Sequence, residues 1–165
     1  MKPHLILAYM IKIVNLFIHK FFRFIGFFAV DLYIALKNAL GKDRALEIMR
    51  NLMTFLGRAR APIMAKMLKV DLSDMVSLSK IQDAEDFILG VKGIWAEREK
   101  NLAIKDELFC PFAKRLRGHS EFCQILVRDF ELATFKTLNQ SYELSIEGKL
   151  LSEGGKYCRF IHKIK

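Results

Sequence analysis

Cysteine is absent from the first 109 residues, and all three thiols fall in the last 56, at Cys110, Cys123 and Cys158. An odd thiol count, with no small-residue cleavage site between the apolar N-terminal stretch and Asp31, argues against a secreted disulfide framework. The expected location is a reducing one, the cytoplasm. Proline is scarce, at three residues, and the apolar fraction is 52%, a composition that excludes a disordered chain. No apolar run reaches the about 20 residues a membrane span requires. The charge-free runs 5–11, 13–18 and 24–30 are broken by Lys12, His19, Lys20 and Arg23. Internal repeats and low-complexity segments are also missing, and 165 residues suffice for one domain with a real core.

The chain has 27 Lys and Arg against 18 Asp and Glu, a net charge of +9. Such an excess suits nucleic acid, an anionic membrane surface or an acidic small molecule. The basic residues are scattered in ones and twos, and no nucleic-acid reading motif interleaves them with aromatics, so nucleic acid is not expected as a partner. If residues 5–36 are helical, His4, Ala8, Lys12, Asn15, His19 and Arg23 form one narrow, largely polar stripe. Leu5, Ile11, Leu16, Phe17, Phe21 and Phe22 fill the remaining circumference. This pattern fits a helix packed in a core or dimer seam, and equally an amphipathic helix lying on an anionic membrane. Gly26 marks a kink or a close contact. The chain divides into this helix region, 1–34, and a domain over 35–165.

Asp43 is placed to cap a helix over 43–57, ended by Gly57, with a break at 58–61 and a further helix from Pro62 to about residue 69. Ser73 or Asp74 caps a short helix, and another runs from 83 or 84 to Gly90. From residue 91 the period shortens. The pattern predicts strand, turn at Glu99-Lys100-Asn101, and a second strand stopped by Pro111. His119 or Ser120 starts a helix to Leu138 with Phe122, Ile125, Leu126, Phe130, Ala133 and Phe135 on its apolar face. A strand from Tyr142 to Ser152, a tight Gly154-Gly155 turn and a returning strand complete an antiparallel sheet. The fold class is α+β, N-terminal helices followed by an antiparallel sheet with a helix packed across it.

Each cysteine sits at an element boundary: Cys110-Pro111-Phe112, Glu121-Phe122-Cys123 and Tyr157-Cys158-Arg159-Phe160. A thiol near a helix N-terminus, with Lys114, Arg115, Arg117 and His119 nearby, is biased toward thiolate. Three chemistries fit: a nucleophile assisted by His119 or Asp129, a soft-metal site, or small core residues. The spacings match no common zinc pattern, and no metal ligands are assigned. His4, His19 and His162 read as bystanders, and Trp95 with the phenylalanines as core or pocket lining.

The run Cys110-Pro-Phe, Glu121-Phe-Cys123, Asp129 and Gly154-Gly-Lys-Tyr-Cys158-Arg-Phe160 resembles the L-2-amino-thiazoline-4-carboxylic acid hydrolase family. The likeness covers roughly 35–162, and the closing Gly-x-x-Cys-x-Phe segment is also similar to vinyl-4-reductase-type small-molecule-binding domains. The first resemblance implies hydrolytic opening of a C–N or C–S bond in a cyclic amidine-like ring. It implies Cys110, Cys123, Asp129 and Cys158 as catalytic positions. His119, Lys156 and Arg159 are then expected to meet a carboxylate-bearing substrate. The second implies a non-catalytic sensor domain that holds a small molecule or metal. No cofactor is indicated, and homo-oligomerisation stays open.

Overall fold

The computed structural model describes the backbone of residues 3–165 and, outside 3–13, 126 and 127, their side chains. The chain runs α1 (Pro3–Leu40), α2 (Lys42–Leu68), α3 (Met75–Leu78), α4 (Lys80–Leu89), β1 (Lys92–Arg98), β2 (Leu102–Phe109) and α5 (Ser120–Ile125). A π-helical stretch (Leu126–Glu131) joins α5 to α6 (Leu132–Leu138). Then come β3 (Glu143–Glu147), a 3₁₀ turn (Leu151–Glu153) and β4 (Cys158–Lys163). The sheet is antiparallel, in the order β1-β2-β4-β3, so the last strand is inserted between two earlier ones. Helices cover one face. The expected α+β class and the expected helix-then-sheet order are both present.

α1 passes residue 34 without interruption and delivers Val30 and Tyr33, both fully buried, to the core. Its polar stripe turns inward. His19 Nδ1 meets the Ile88 carbonyl at 3.1 Å, and Arg23 Nε donates to the Leu89 carbonyl at 3.0 Å, both at the C-terminal end of α4. Free carbonyls and the negative end of the helix dipole favour cations there. Gly26 is a close contact rather than a kink, because a Cβ there would strike the Phe112 ring at 2.5 Å. The side chains of His4, Ala8 and Lys12 lie outside the described residues.

α2 differs from the expected two helices. It continues through Gly57 and Pro62, and its buried residues Ala45, Met49, Met53, Gly57 and Ala61 recur every fourth position. Gly57 does not end the helix; it lets α2 approach the backbone carbonyl of Phe130, with Ala133 Cβ 3.1 Å and Thr134 Oγ1 3.2 Å from where a Cβ would stand. Pro62 removes one helical hydrogen bond, and the helix continues past it to Leu68 with its packed stripe intact as far as Ala61. Asp74 caps α3 by accepting from the Val76 amide at 3.0 Å, as expected.

The third strand also differs. It stops at Glu147, and residues 148–157 form a longer connection around the 3₁₀ turn rather than a tight hairpin. Gly154 takes φ 85° and Gly155 lies against the Lys149 carbonyl where no Cβ fits, so the glycine pair closes this turn. Two apolar clusters result. One joins α1, α2, α5 and β4 through Tyr33, Met49, Phe122, Cys123, Cys158 and Phe160. The other gathers Met75, Leu78, Ile81, Ala103, Phe135, Tyr142 and Ile164.

Candidate functional site between the helices and the sheet

β2 and β4 turn Ala103, Lys105 and Glu107, and Cys158, Phe160 and His162, toward the helices, with Glu107 opposite Cys158 and Lys105 opposite Phe160. The inner face therefore carries a thiol end and a charged end, joined at Glu107.

At the thiol end, Cys110 follows β2, Cys123 lies in α5 and Cys158 opens β4; all three are free and belong to or pack against one apolar cluster. The fold thus brings the three thiols together. The Leu151 amide donates to Cys158 Sγ at 3.2 Å, and the Ser152 hydroxyl is buried beside Cys123. Burial pushes Cys110 and Cys123 up to about 12, and Cys158 to about 11. The backbone amides of Phe112 and Ala113, the Ser152 hydroxyl and the Leu151 amide offset only part of this. The expected bias toward thiolate is reversed, because α5 is short and the nearby cations point elsewhere. Desolvation dominates.

The other expected site residues are dispersed. Asp129 accepts from Arg50 Nε at 2.9 Å and lines an outer groove with Arg58 and Lys136 that contains no cysteine. His119 faces α1, with Lys37 Nζ 3.4 Å from its Nδ1. Beside it, Glu121 accepts from Tyr33 Oη at 2.7 Å and Lys37 Nζ at 2.8 Å; these bonds overcome burial and bring its carboxyl down to about 2. Arg159 projects from the opposite face of the sheet to Cys158, because successive strand residues alternate. There it forks onto Asp106 at 2.7 and 2.6 Å. Lys156 is exposed and lines the same outer groove as Arg159.

The charged end was not legible as a site in the sequence. Arg60 of α2 donates to Thr134 Oγ1 at 2.8 Å, pairs with Glu131 at 3.3 Å and with Glu85, and lies 3.6 Å over the Phe130 ring. Lys105 reaches Asp86 at 2.5 Å, and Gln82 Nε2 donates to Asp86 at 3.2 Å. His162 Nδ1 shares a 2.7 Å hydrogen bond with Tyr142 Oη, and its ring stands 5.8 Å from Trp95 and 5.9 Å from Phe135.

Four buried carboxyls, from Glu85, Asp86, Glu107 and Glu131, thus face two cations, Arg60 and Lys105. Burial, helped by Asp86, lifts Glu107 to about 8. Asp86 and Glu131 are raised by burial against the pull of Lys105 and Arg60. Burial and then Lys105 push His162 down to about 3, so its ring is neutral.

Outside the Arg60–Glu85 ion pair, three atoms here have no hydrogen-bond partner among the described residues, Gln82 Oε1, Glu131 Oε2 and His162 Nε2, and Ser152 Oγ is another such atom at the thiol end. Gln82, Glu131 and His162 are 8%, 6% and 2% exposed. Each such atom left unpaired costs about 1–3 kcal/mol. Among the described residues no group of three or more His, Cys, Asp or Glu side chains is arranged to hold a metal ion.

No family model matches this chain, and no curated protein matches it. Solved structures do. The chain is similar to the phenol-responsive sensory domain of the transcription activator PoxR, solved with phenol. Identity is 14% and the TM-score 0.59, over 82% of this chain and 72% of that one. It is also similar to a trafficking protein particle complex subunit 3 from Naegleria fowleri, covalently bound to palmitic acid. There identity is 9% and the TM-score 0.58, over 82% and 92% of the two chains. The fold is shared. At these identities the likeness carries the fold alone.

Proposed function

We propose that this protein is a small-molecule-binding domain of the sensor type, which holds an organic ligand between its helices and the inner face of its sheet. The observation that carries this reading is that Gln82 Oε1, Glu131 Oε2 and His162 Nε2 are buried and unpartnered at the charged end, where Trp95, Phe135 and Tyr142 pack around His162. Two of the three are acceptors, and Trp95, Phe135 and Tyr142 give the surroundings of His162 an aromatic character. The matching ligand has a hydroxyl or amino donor on an aromatic or other apolar body. The two neighbours named above support the reading in kind, since one was solved with phenol and the other with a fatty acid. The ring-opening hydrolase reading has weaker support: its three thiols are held protonated at neutral pH, and Asp129 is engaged by Arg50.

Calorimetric titration with phenol and with benzene tests the proposal. Phenol is expected to bind saturably, and benzene at least about tenfold more weakly, because it leaves the buried acceptors without a donor. Equal binding of the two, or none by phenol and by aniline, overturns the proposed donor-reading site.

A further inference from the structure

The long first helix presents the wrong side to solvent for a helix serving one domain. Its inward seam is His19, Arg23, Gly26, Val30, Tyr33 and Lys37, at steps of four and three, and is held by the α4 carbonyls, the Phe112 ring and Glu121. On the opposite side Phe17, Phe21, Phe24 and Phe28 recur at the same steps, flanked by Val14 and Ile25, and all six are exposed. Phe17 and Phe24 are 69% and 67% exposed. A contiguous phenylalanine stripe of this size marks an interaction surface.

Charge selects the occupant. Residues 1–30 contain Lys2, Lys12, Lys20 and Arg23 and no Asp or Glu, and the first acid, Asp31, is paired with Arg115. Arg23 belongs to the inward seam, Lys20 is exposed beside the stripe, and with no acid in residues 1–30 an anionic lipid surface attracts this part of the helix. No described helix is long and apolar enough to cross a membrane, and the lipid contact open to an amphipathic helix of this kind is at the surface. We propose that α1 docks its Phe17–Phe21–Phe24–Phe28 face into the headgroup region of an anionic bilayer and holds the domain at that surface.

The test is co-sedimentation of the full chain with phosphatidylcholine vesicles, with and without about 30% phosphatidylserine, at low and high salt. The double variant Phe17→Ser/Phe24→Ser alters only exposed side chains, so its unfolding midpoint is expected to match the parent. Lys20→Glu tests the charge separately. Binding is expected on phosphatidylserine vesicles, weakened by salt and by Lys20→Glu, and reduced at least about tenfold by the double variant. Absence of vesicle binding overturns the proposal, as does binding that the double variant retains. So does a concentration-dependent dimer that the double variant abolishes while vesicles bind neither protein, which would assign the face to a second copy.

Discussion

The two ends of the sheet's inner face bury very different chemistry. At the thiol end Cys110, Cys123 and Cys158 sit among Phe112, Phe122 and Phe160, neutral and small enough to pack like other apolar residues. At the charged end six ionisable groups from four elements share one interior, with more carboxyls than cations and three polar atoms, outside the Arg60–Glu85 ion pair, without partners. The first leaves one buried polar atom, Ser152 Oγ, without a partner; the second leaves more, and that difference separates a conspicuous motif from a candidate site.

The largest expected contrast is in thiol reactivity. Cys110 and Cys123, pushed up to about 12, are expected to alkylate with iodoacetamide at pH 7 about a thousandfold more slowly than an unshifted thiol. Mass-mapped labelling reads this, and one fast cysteine would restore the nucleophile to consideration.

Arg60→Leu comes next. It leaves Glu131 and Glu85 buried without their cation, and is expected to cost about 3–5 kcal/mol in urea unfolding. A loss below about 1 kcal/mol would mean the cluster is wetter than described.

The pH dependence is a smaller effect. Glu107 has its folded pKa raised from 4.5 to about 8, so its stabilising contribution is complete below 4.5 and is lost as pH rises toward 8. His162 is depressed from 6.5 to about 3, so its contribution is complete above 6.5 and is lost as pH falls toward 3. Between 4.5 and 6.5 these two slopes oppose each other, and above 6.5, of the two, the Glu107 loss remains. Stability attributable to Glu107 is then expected to fall by about 2 kcal/mol between pH 6.5 and 8. Glu107→Gln should remove that fall, as measured by unfolding free energy across pH. An unchanged slope would place the titration on another group.

Arg50→Ala should matter least. It breaks the half-exposed pair with Asp129 and is expected to change stability by no more than about 0.5 kcal/mol.

What the sequence made legible follows from local chemistry. The turn at 99–101, the stop at Pro111 and the Asp74 cap each depend on residues close in the chain, and all three stand. Gly57 was ambiguous because a glycine that ends a helix and one that admits a neighbouring backbone look the same until Phe130 is known to lie across from it. Glu131 was hidden by the π-helical stretch. With Ile125 buried before it and Glu131, Thr134 and Phe135 buried after it, the inward phase shifts in a way regular 3.6-residue periodicity does not anticipate. β2 shows the converse case: Leu108 is half-exposed while Lys105 and Glu107, charged residues, are buried. The cysteines were legible as neighbours, but their protonation was set by apolar surroundings gathered from α1, α2 and β4.

Trp95, the single tryptophan, stands 5.8 Å from His162 and reports on the charged end directly. The decisive measurement is a phenol titration followed by Trp95 emission, in the parent, in Glu131→Gln, and in a variant with Cys110, Cys123 and Cys158 all changed to Ala. A saturable change that survives loss of the three thiols and disappears with Glu131→Gln is the expected result. A change that needs the thiols and ignores Glu131 would contradict the account and return the site to the cysteines.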